Sequence, residues 1–493
     1  MGWRVRRTTS GFTLLELMVA IMVASLVVLA AYQIFATTSE GMYEASSLAD
    51  TTDRARYALE LVARDIQAAA SYGSPNSATD PFVHPTQLAG RNVRGIYAIT
   101  AAGHQGRAVG DFQQVWNRAT RSDELIVLGA YDFPFPIEVA FPGGGTNFVT
   151  ARATNTERGT LRFLDIDPFI TAPQTVTDIG PMINSVLGPL GADTFITSRL
   201  LRVVDRNGFA QFATISTGNY SPGPGADKGL TLDLEPGPNE LQARQGDQGA
   251  GLEPAGADDV AYQATLLDAY RYRVCAPRET PNRLRLVKER LNARMLISNL
   301  EPPVADICED VPTGPGNFVV TRTLLVDRVV DFQVWYDCVL PGSPLMTTSN
   351  WATTWMAPDF SSGQLHDCMY VDAAGNNVGT AGPESARMAH IRLSIHTENQ
   401  RSDVPNYGFL TATGETVNDT LSPNAADYVN VKPAPIVGDL PDNPIGHLQT
   451  ADLDGDASTA ARVVTMQVDV ELRNYIYNAH RAMPQQVTNA TFQ

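Results

Sequence analysis

Between Phe12 and Ala36 the chain runs 25 residues with a single charge, Glu16. A helix of that length is roughly 37 Å long, enough to cross a hydrocarbon core of about 30 Å with some tilt. Arg4, Arg6 and Arg7 precede the run and Thr37 comes after it. Basic residues stay on the cytoplasmic side of a span, so the run predicts one membrane crossing with everything after Thr37 outside. A cleaved export signal is the alternative, with Ala31 or the Ala36-Thr37-Thr38 region as its small cleavage residues. Against it stand the length of the run and the polar break Thr8-Thr9-Ser10-Gly11 ahead of it, for which an export signal has no use. Glu16 is the costly residue, at about 2.5–3.5 kcal/mol if it lies at mid-membrane and less near an end. It either snorkels to the interface or meets a partner.

The helical pattern continues past the span. Leu48, Ala55, Ala58, Leu59, Val62, Ile66 and Ala69 recur at spacings of three, four and seven, with Asp53, Arg54, Arg56, Glu60, Arg64 and Asp65 on the other faces. Glu60 and Arg64 stand in the favourable i,i+4 order. Only Gly41 interrupts good helix formers before Val62, and Gly73-Ser74-Pro75 should end the element. Residues 12–72 then predict a rod roughly 90 Å long, its second half lying on a globular head.

That head has ample chain: 493 residues is about three domains' worth at roughly 150 each. At 43% hydrophobic the chain is not disordered throughout. Its 53 acidic against 36 basic residues argue against a nucleic-acid partner, which needs a basic face. The only lysines are Lys228, Lys288 and Lys432, so no polybasic lipid-binding tract exists.

The head reads as β-rich. Glu124–Gly129 looks like a buried strand. Arg199–Thr217 reads as a hairpin with its turn at Asp205–Gly208, where Asn207-Gly208 supplies the required positive φ. Residues 218–257, rich in Gly and Pro, read as a loop-like boundary or insertion. Tyr270–Val274 and Arg283–Val287 form a second hairpin, and Thr323–Tyr336, Ala389–Thr397 and Arg462–Tyr475 are strand-like.

Candidate sites outside the helix are few. Cys275, Cys308, Cys338 and Cys368 all lie on the exported side, where disulfides form. Four thiols permit three pairings, and short loops favour Cys275–Cys308 with Cys338–Cys368, against reduced buried thiols. Their spacing is wrong for a zinc ribbon. Asp452, Asp454 and Asp456 surround a glycine as calcium loops do, without the distal Glu of an EF-hand; an acidic surface turn is the plainer reading. Arg271, Arg273, Arg283 and Arg285 can crowd one face of a hairpin, which calls for neighbouring carboxylates or a partner. His390 and His396 share a strand face without ligand spacing. No HExxH, GxSxG or Walker motif occurs, and Phe141-Pro-Gly-Gly-Gly145 lacks the Lys and Ser/Thr of a phosphate loop, so neither an enzyme nor a cofactor is expected.

The stretch Gly11-Phe12-Thr13-Leu14-Leu15-Glu16-Leu17-Met18-Val19-Ala20, after a short basic leader, resembles the class III signal of type IV pilins and type II secretion pseudopilins. The resemblance implies that a prepilin peptidase cuts after Gly11 and methylates Phe12, and that Glu16 pairs with the new N-terminal amine of a neighbouring subunit. Arg54-Ala-Arg-Tyr-Ala-Leu-Glu-Leu-Val-Ala-Arg-Asp-Ile-Gln67 and the four C-terminal strand segments resemble PilW-type minor pilins and J-type pseudopilins, over about a third of the chain. Unlike many major pilins, the chain has no proline before Pro75.

The resemblance further implies an α+β, type IV pilin-like fold: leader 1–11, transmembrane and assembly helix 12–36, amphipathic stem 37–73, β-rich head with insertions 74–257, and C-terminal sheet 258–493. Residues 76–257 and 340–385 match no pattern and read as insertions. The implied role is a minor pilin that primes pilus assembly at the tip, in twitching motility and adhesion. The alternatives are a J-type pseudopilin and a filament-borne adhesin. Implied partners are other minor pilins, the major pilin, the peptidase, the inner-membrane assembly platform and a tip adhesin. The implied location is the bacterial inner membrane with the head in the periplasm, then the pilus tip at the cell surface.

Overall fold

A computed structural model describes residues 13–77, 80, 82–83, 93–99, 122, 124–132, 137–140, 148–151, 195–204, 210–221, 229–235, 262–279, 284–297, 303, 307–338, 368–371, 377–381, 386–397, 409–410, 416–417, 450–451 and 461–474. It has a long N-terminal apolar helix followed by a β-rich head, an α+β pilin-like arrangement. By contacts the chain divides between Asp53 and Arg54.

Helix α1 spans Leu14–Gln67 without a break. No proline interrupts it, and Gly41 has open space where a Cβ would sit, so the backbone simply runs through. From Arg54 onward one face is core: Ala55, Ala58, Leu59, Val62, Ala63 and Ile66 are buried, as the spacing predicts, while Leu48 is exposed. The expected Glu60–Arg64 pair does not form. Glu60 meets Arg56, one turn earlier, at 2.9 Å, and Arg64 lies 3.7 Å from Asp65.

The helix ends at Gln67, ahead of Gly73, because tertiary bonds intervene. Ala70 and Tyr72 take left-handed φ of 60° and 51°. Ala70 N–H donates to Leu128 O at 2.8 Å, and Ala130 N–H donates to Ser71 O at 3.2 Å. Asn474 Nδ2, 405 residues downstream of Ala69, donates to Gln67 O (3.1 Å) and Ala69 O (2.9 Å), filling acceptors that a helix end leaves open.

The first strands are β1 (Ile96–Ile99), β2 (Glu124–Gly129), β3 (Ile137–Ala140), β4 (Phe148–Ala151), β5 (Leu200–Val204), β6 (Ala210–Ser221) and β7 (Gly229–Glu235). Then come β8 (Tyr262–Cys275), β9 (Arg285–Leu291), the short helix α2 (Ala293–Ile297), β10 (Val319–Asp327) and β11 (Val329–Cys338). The rest are β12 (Cys368–Val371), β13 (Asn377–Ala381), β14 (Ala386–His396), β15 (Phe409–Leu410), β16 (Thr416–Val417), β17 (Thr450–Ala451) and β18 (Ala461–Glu471).

Strand β8 organises the head. Its second half lies between β2 (Leu125↔Tyr272) and β9 (Tyr270↔Arg290). Its first half lies between β5 (Leu200↔Leu267) and β3 (Ile137↔Ala264). Since β3 pairs β4, β4 pairs β7, β7 pairs β6 and β6 pairs β5, six antiparallel strands close a ring. Closure leaves these strands no free edge. Both β7 and the end of β6 fall inside 218–257, so that segment is not all loop. Residues on both sides of 257 share one sheet, which therefore crosses the boundary expected there.

Both expected hairpins form, β5–β6 and β8–β9; the turn at 205–209 lies outside the described residues. Thr323–Tyr336 is not one strand. Arg328, at φ 62°, breaks it: β10 stays on β9, and β11 leaves for a second sheet, β11-β14-β18-β17. The C-terminal segments thus divide between two sheets. Their core is shared, with Leu125, Val127, Tyr272 and Leu286 from the first, Phe332, Ile391, Leu393 and Val470 from the second, and the Ala55–Ile66 face of α1 with Ala69 and Ala70 just beyond it in one apolar cluster.

Candidate functional site

At the start of α1, Thr13 and Glu16 form a capping box. Glu16 N–H donates to Thr13 Oγ1 at 3.3 Å, while Thr13 N–H and its hydroxyl each donate to Glu16 Oε2 at 3.0 Å. The carboxylate is drawn toward the helix N-terminus, where unpaired N–H groups favour negative charge. Leu14, Leu15, Leu17, Met18, Ile21, Met22 and Leu26 stand exposed around it. The helix is long and apolar enough to cross a membrane. Gly11 and Phe12 lie outside the described residues.

The second constellation is where α1 meets the sheet. The two-residue period of β8 sends Asp268, Tyr270 and Tyr272 to the face toward α1, and Arg271 and Arg273 to the opposite face. On the α1 side, Asp65 accepts from Tyr272 OH, and Lys288 Nζ lies 2.5 Å from the same Oδ2. Lys288 sits 3.9 Å above the Tyr270 ring, and Tyr131 OH donates to Asp65 O at 2.8 Å. Burial and the Asp65 charge both raise the Tyr272 phenol well above its ordinary pKa, so it stays protonated. Alongside, Arg199 and Arg290 each lie 2.7 Å from Asp268 Oδ1, and at 3.2 and 3.0 Å from Asp132 Oδ2. Two carboxylates and two guanidiniums thus balance. Burial opposes ionisation of Asp132, but the Arg290 charge, the Tyr270 hydrogen bond and Arg199 prevail and lower its pKa.

On the far face, Glu289 answers the crowded arginines. Arg271 Nε (2.7 Å), Arg273 Nε (3.0 Å) and Arg322 Nε (2.7 Å) all donate to it. Glu124 adds a carboxylate 3.7 Å from Arg271. Burial raises the Glu289 pKa, but Arg271 and Arg273, with hydrogen bonds from Arg273 and Arg322, outweigh it and bring the group to about 2. Arg285 does not join them; it stands opposite Cys275 and Asp327 in register. Arg283 lies outside the described residues.

Cys275 and Cys308 are disulfide-bonded, Cα–Cα 5.2 Å, beside Val287. The side chains of Cys338 and Cys368, and all of Asp452, Asp454 and Asp456, lie outside the described residues. Among the described residues no three His, Cys, Asp or Glu side chains gather as metal ligands would. His390 Nδ1 is 2.7 Å from Asp469 on β18, and His396 is buried with Nδ1 2.7 Å from Thr397 O.

The carboxylates at the joint (Asp65, Asp132, Asp268), Glu289 on the far face and Asn474 escape sequence reasoning, since each partner is set by sheet register or by contacts far along the chain. The alternation Asp268-Ala-Tyr-Arg-Tyr-Arg273 is the one signal that separates the two faces.

The model of the prokaryotic N-terminal methylation motif matches residues 6–32. The match and the apolar helix together support a type IV pilin-like or pseudopilin protein anchored in a membrane. No curated protein and no solved structure matches the chain.

Proposed function

We propose that the chain is a PilW-type minor pilin: made as a precursor, cleaved after Gly11, methylated at Phe12, and held in the bacterial inner membrane with its head in the periplasm. It joins other minor pilins and the major pilin on the inner-membrane assembly platform, primes the filament and ends at its tip, where it supports twitching motility and adhesion. Its role is structural rather than catalytic. The observation that carries the reading is the methylation motif over residues 6–32 joined to an unbroken helix with one carboxylate in its first turn. The mechanism is assembly. Apolar stems bundle, and Glu16 leaves its Thr13 cap for a neighbour's ammonium, an attraction far stronger in low dielectric than in water.

Mass spectrometry of the native N-terminus tests the first step, with methylated Phe12 expected; an intact Met1 overturns it. Gly11 replaced by a bulky residue should block processing. Glu16→Ala should be processed but excluded from filaments. A deletion strain that loses surface pili while still secreting enzymes supports the pilus; the converse assigns a J-type pseudopilin. Point substitutions on the surface of the head that leave piliation intact while attachment fails make the chain a filament-borne adhesin.

A further inference from the structure

We propose that Lys288 and Asp65 are the two halves of an intramolecular amide cross-link between the C-terminal part of α1 and strand β9. Four observations meet there. First, Lys288 Nζ lies 2.5 Å from Asp65 Oδ2, and the Asp65 side chain is 6% exposed. Second, that oxygen also receives the Tyr272 hydroxyl, while among the described residues Oδ1 has only Arg64 at 3.7 Å, so one oxygen is singled out to leave. Third, the walls are aromatic: Lys288 Nζ sits over Tyr270 and 6.0 Å from the centre of Tyr272.

The fourth observation is the choice of lysine. Arginine is the better residue for a buried ion pair, since its guanidinium is weakly hydrated and forks onto carboxylates. This chain obeys that rule at Arg199, Arg271, Arg273 and Arg290. Only three of its 36 basic residues are lysines, and one of those three stands against Asp65. What lysine offers and arginine does not is an amine that can lose its proton and attack.

The pair as it stands holds every atom required. In the proposed reaction the ammonium first passes one proton to the oxygen it touches, Asp65 Oδ2. The freed amine attacks Cγ, forming the C–N bond, and the C–Oδ2 bond breaks. Tyr272 relays the second amine proton to the departing oxygen, which leaves as water past the 22% of Lys288 that is exposed. No oxidant or co-reactant enters. Condensation in open water is unfavourable, but two groups held in contact act at effective concentrations of about 10⁵–10⁸ M. The inference goes beyond the pilin reading, which adds only a use: a joint between stem and head that carries tension.

The test uses the full-length protein extracted from membranes in detergent, reduced, denatured and digested with trypsin. The expected product is a branched peptide in which segment 286–290, uncut after Lys288, is joined to segment 65–91 with the loss of one water, about 18 Da. Lys288→Arg keeps the ion pair but cannot condense, so the branch should vanish while the head remains folded. Tyr272→Phe should lower the branched fraction. Free linear peptides ending at Lys288, with no branch in the wild-type digest, overturn the proposal, as does a branch that persists in Lys288→Arg. Neither result bears on the processed N-terminus, so the two readings fail separately.

Discussion

Glu289 is the residue on which the far face of the sheet depends, and Glu289→Gln isolates its charge with little change in shape. Its carboxyl titrates near 2 instead of its ordinary 4.5. At about 1.4 kcal/mol per pH unit, that difference stabilises the folded head by roughly 3 kcal/mol at neutral pH. Removing one partner of a buried ion pair typically costs about 3–5 kcal/mol, because the charges left behind stay desolvated. Here three guanidiniums would lose their shared carboxylate, although Arg271 keeps Glu124 and the Pro303 carbonyl and Arg322 keeps the Val311 carbonyl. The sign comes from the lowered pKa. The contribution is complete above about 4.5 and is lost as the pH falls toward 2, because the unfolded chain takes up the proton first. Urea denaturation of the detergent-solubilised chain, monitored by near-ultraviolet circular dichroism, should show Glu289→Gln weaker by about 3–5 kcal/mol at pH 7. The gap should shrink at pH 3, as the wild type gives up its own advantage. A gap under about 1 kcal/mol at pH 7, or one equal at both values, refutes the reasoning.

Asn474→Ala should expose the α1 end to faster amide exchange at residues 66–70 and cost about 1–2 kcal/mol, since Gln67 O and Ala69 O lose their donor. Gly129→Ala should cost about 2 kcal/mol or more in thermal melts, because the new Cβ would lie 2.7 Å from the backbone oxygen of Ala68. Cys308→Ser opens a loop of 33 residues and should lower stability by about 3–4 kcal/mol in non-reducing buffer, with no such difference from the wild type under reductant. Thr13→Val should leave the helix intact but weaken its first turn by about 1 kcal/mol, seen as earlier amide exchange at Glu16 and Leu17.

The parts of this molecule that announce themselves in sequence are those whose physics is local. A helix needs only good formers, no proline and one apolar stripe, so α1 and its buried face from Ala55 to Ile66 are readable. Strands such as Glu124–Gly129 and both hairpins arise from β-branched runs and turn chemistry over a few residues. Boundaries escape where a distant group decides them. Gly73 is the residue a local rule selects as the stop, yet the helix ends at Gln67 because Leu128 and Asn474, which no local window contains, satisfy its backbone. Likewise nothing in TLLVDRVVDFQVWY marks Arg328 as the left-handed break between two sheets, since arginine carries no preference for positive φ.

The charged residues repeat this division at the level of function. Four arginines on one hairpin demand compensation, because like charges on adjacent strands repel wherever they sit. That Glu289 supplies it for Arg271 and Arg273 is decided only by the register Arg271↔Glu289↔Arg322 across three strands. Asp65 is harder still. In the sequence it is one more polar residue of an amphipathic helix, next to Arg64. The sheet turns it inward, to a tyrosine 207 residues away and a lysine 223 residues away. A short carboxylate at the end of a buried stripe, and a rare lysine in an arginine-rich chain, are weak signals taken singly. Their meaning emerges only where the fold brings them onto the same oxygen, and that contact is also where the part of α1 after Asp53 is fastened to β8 and β9.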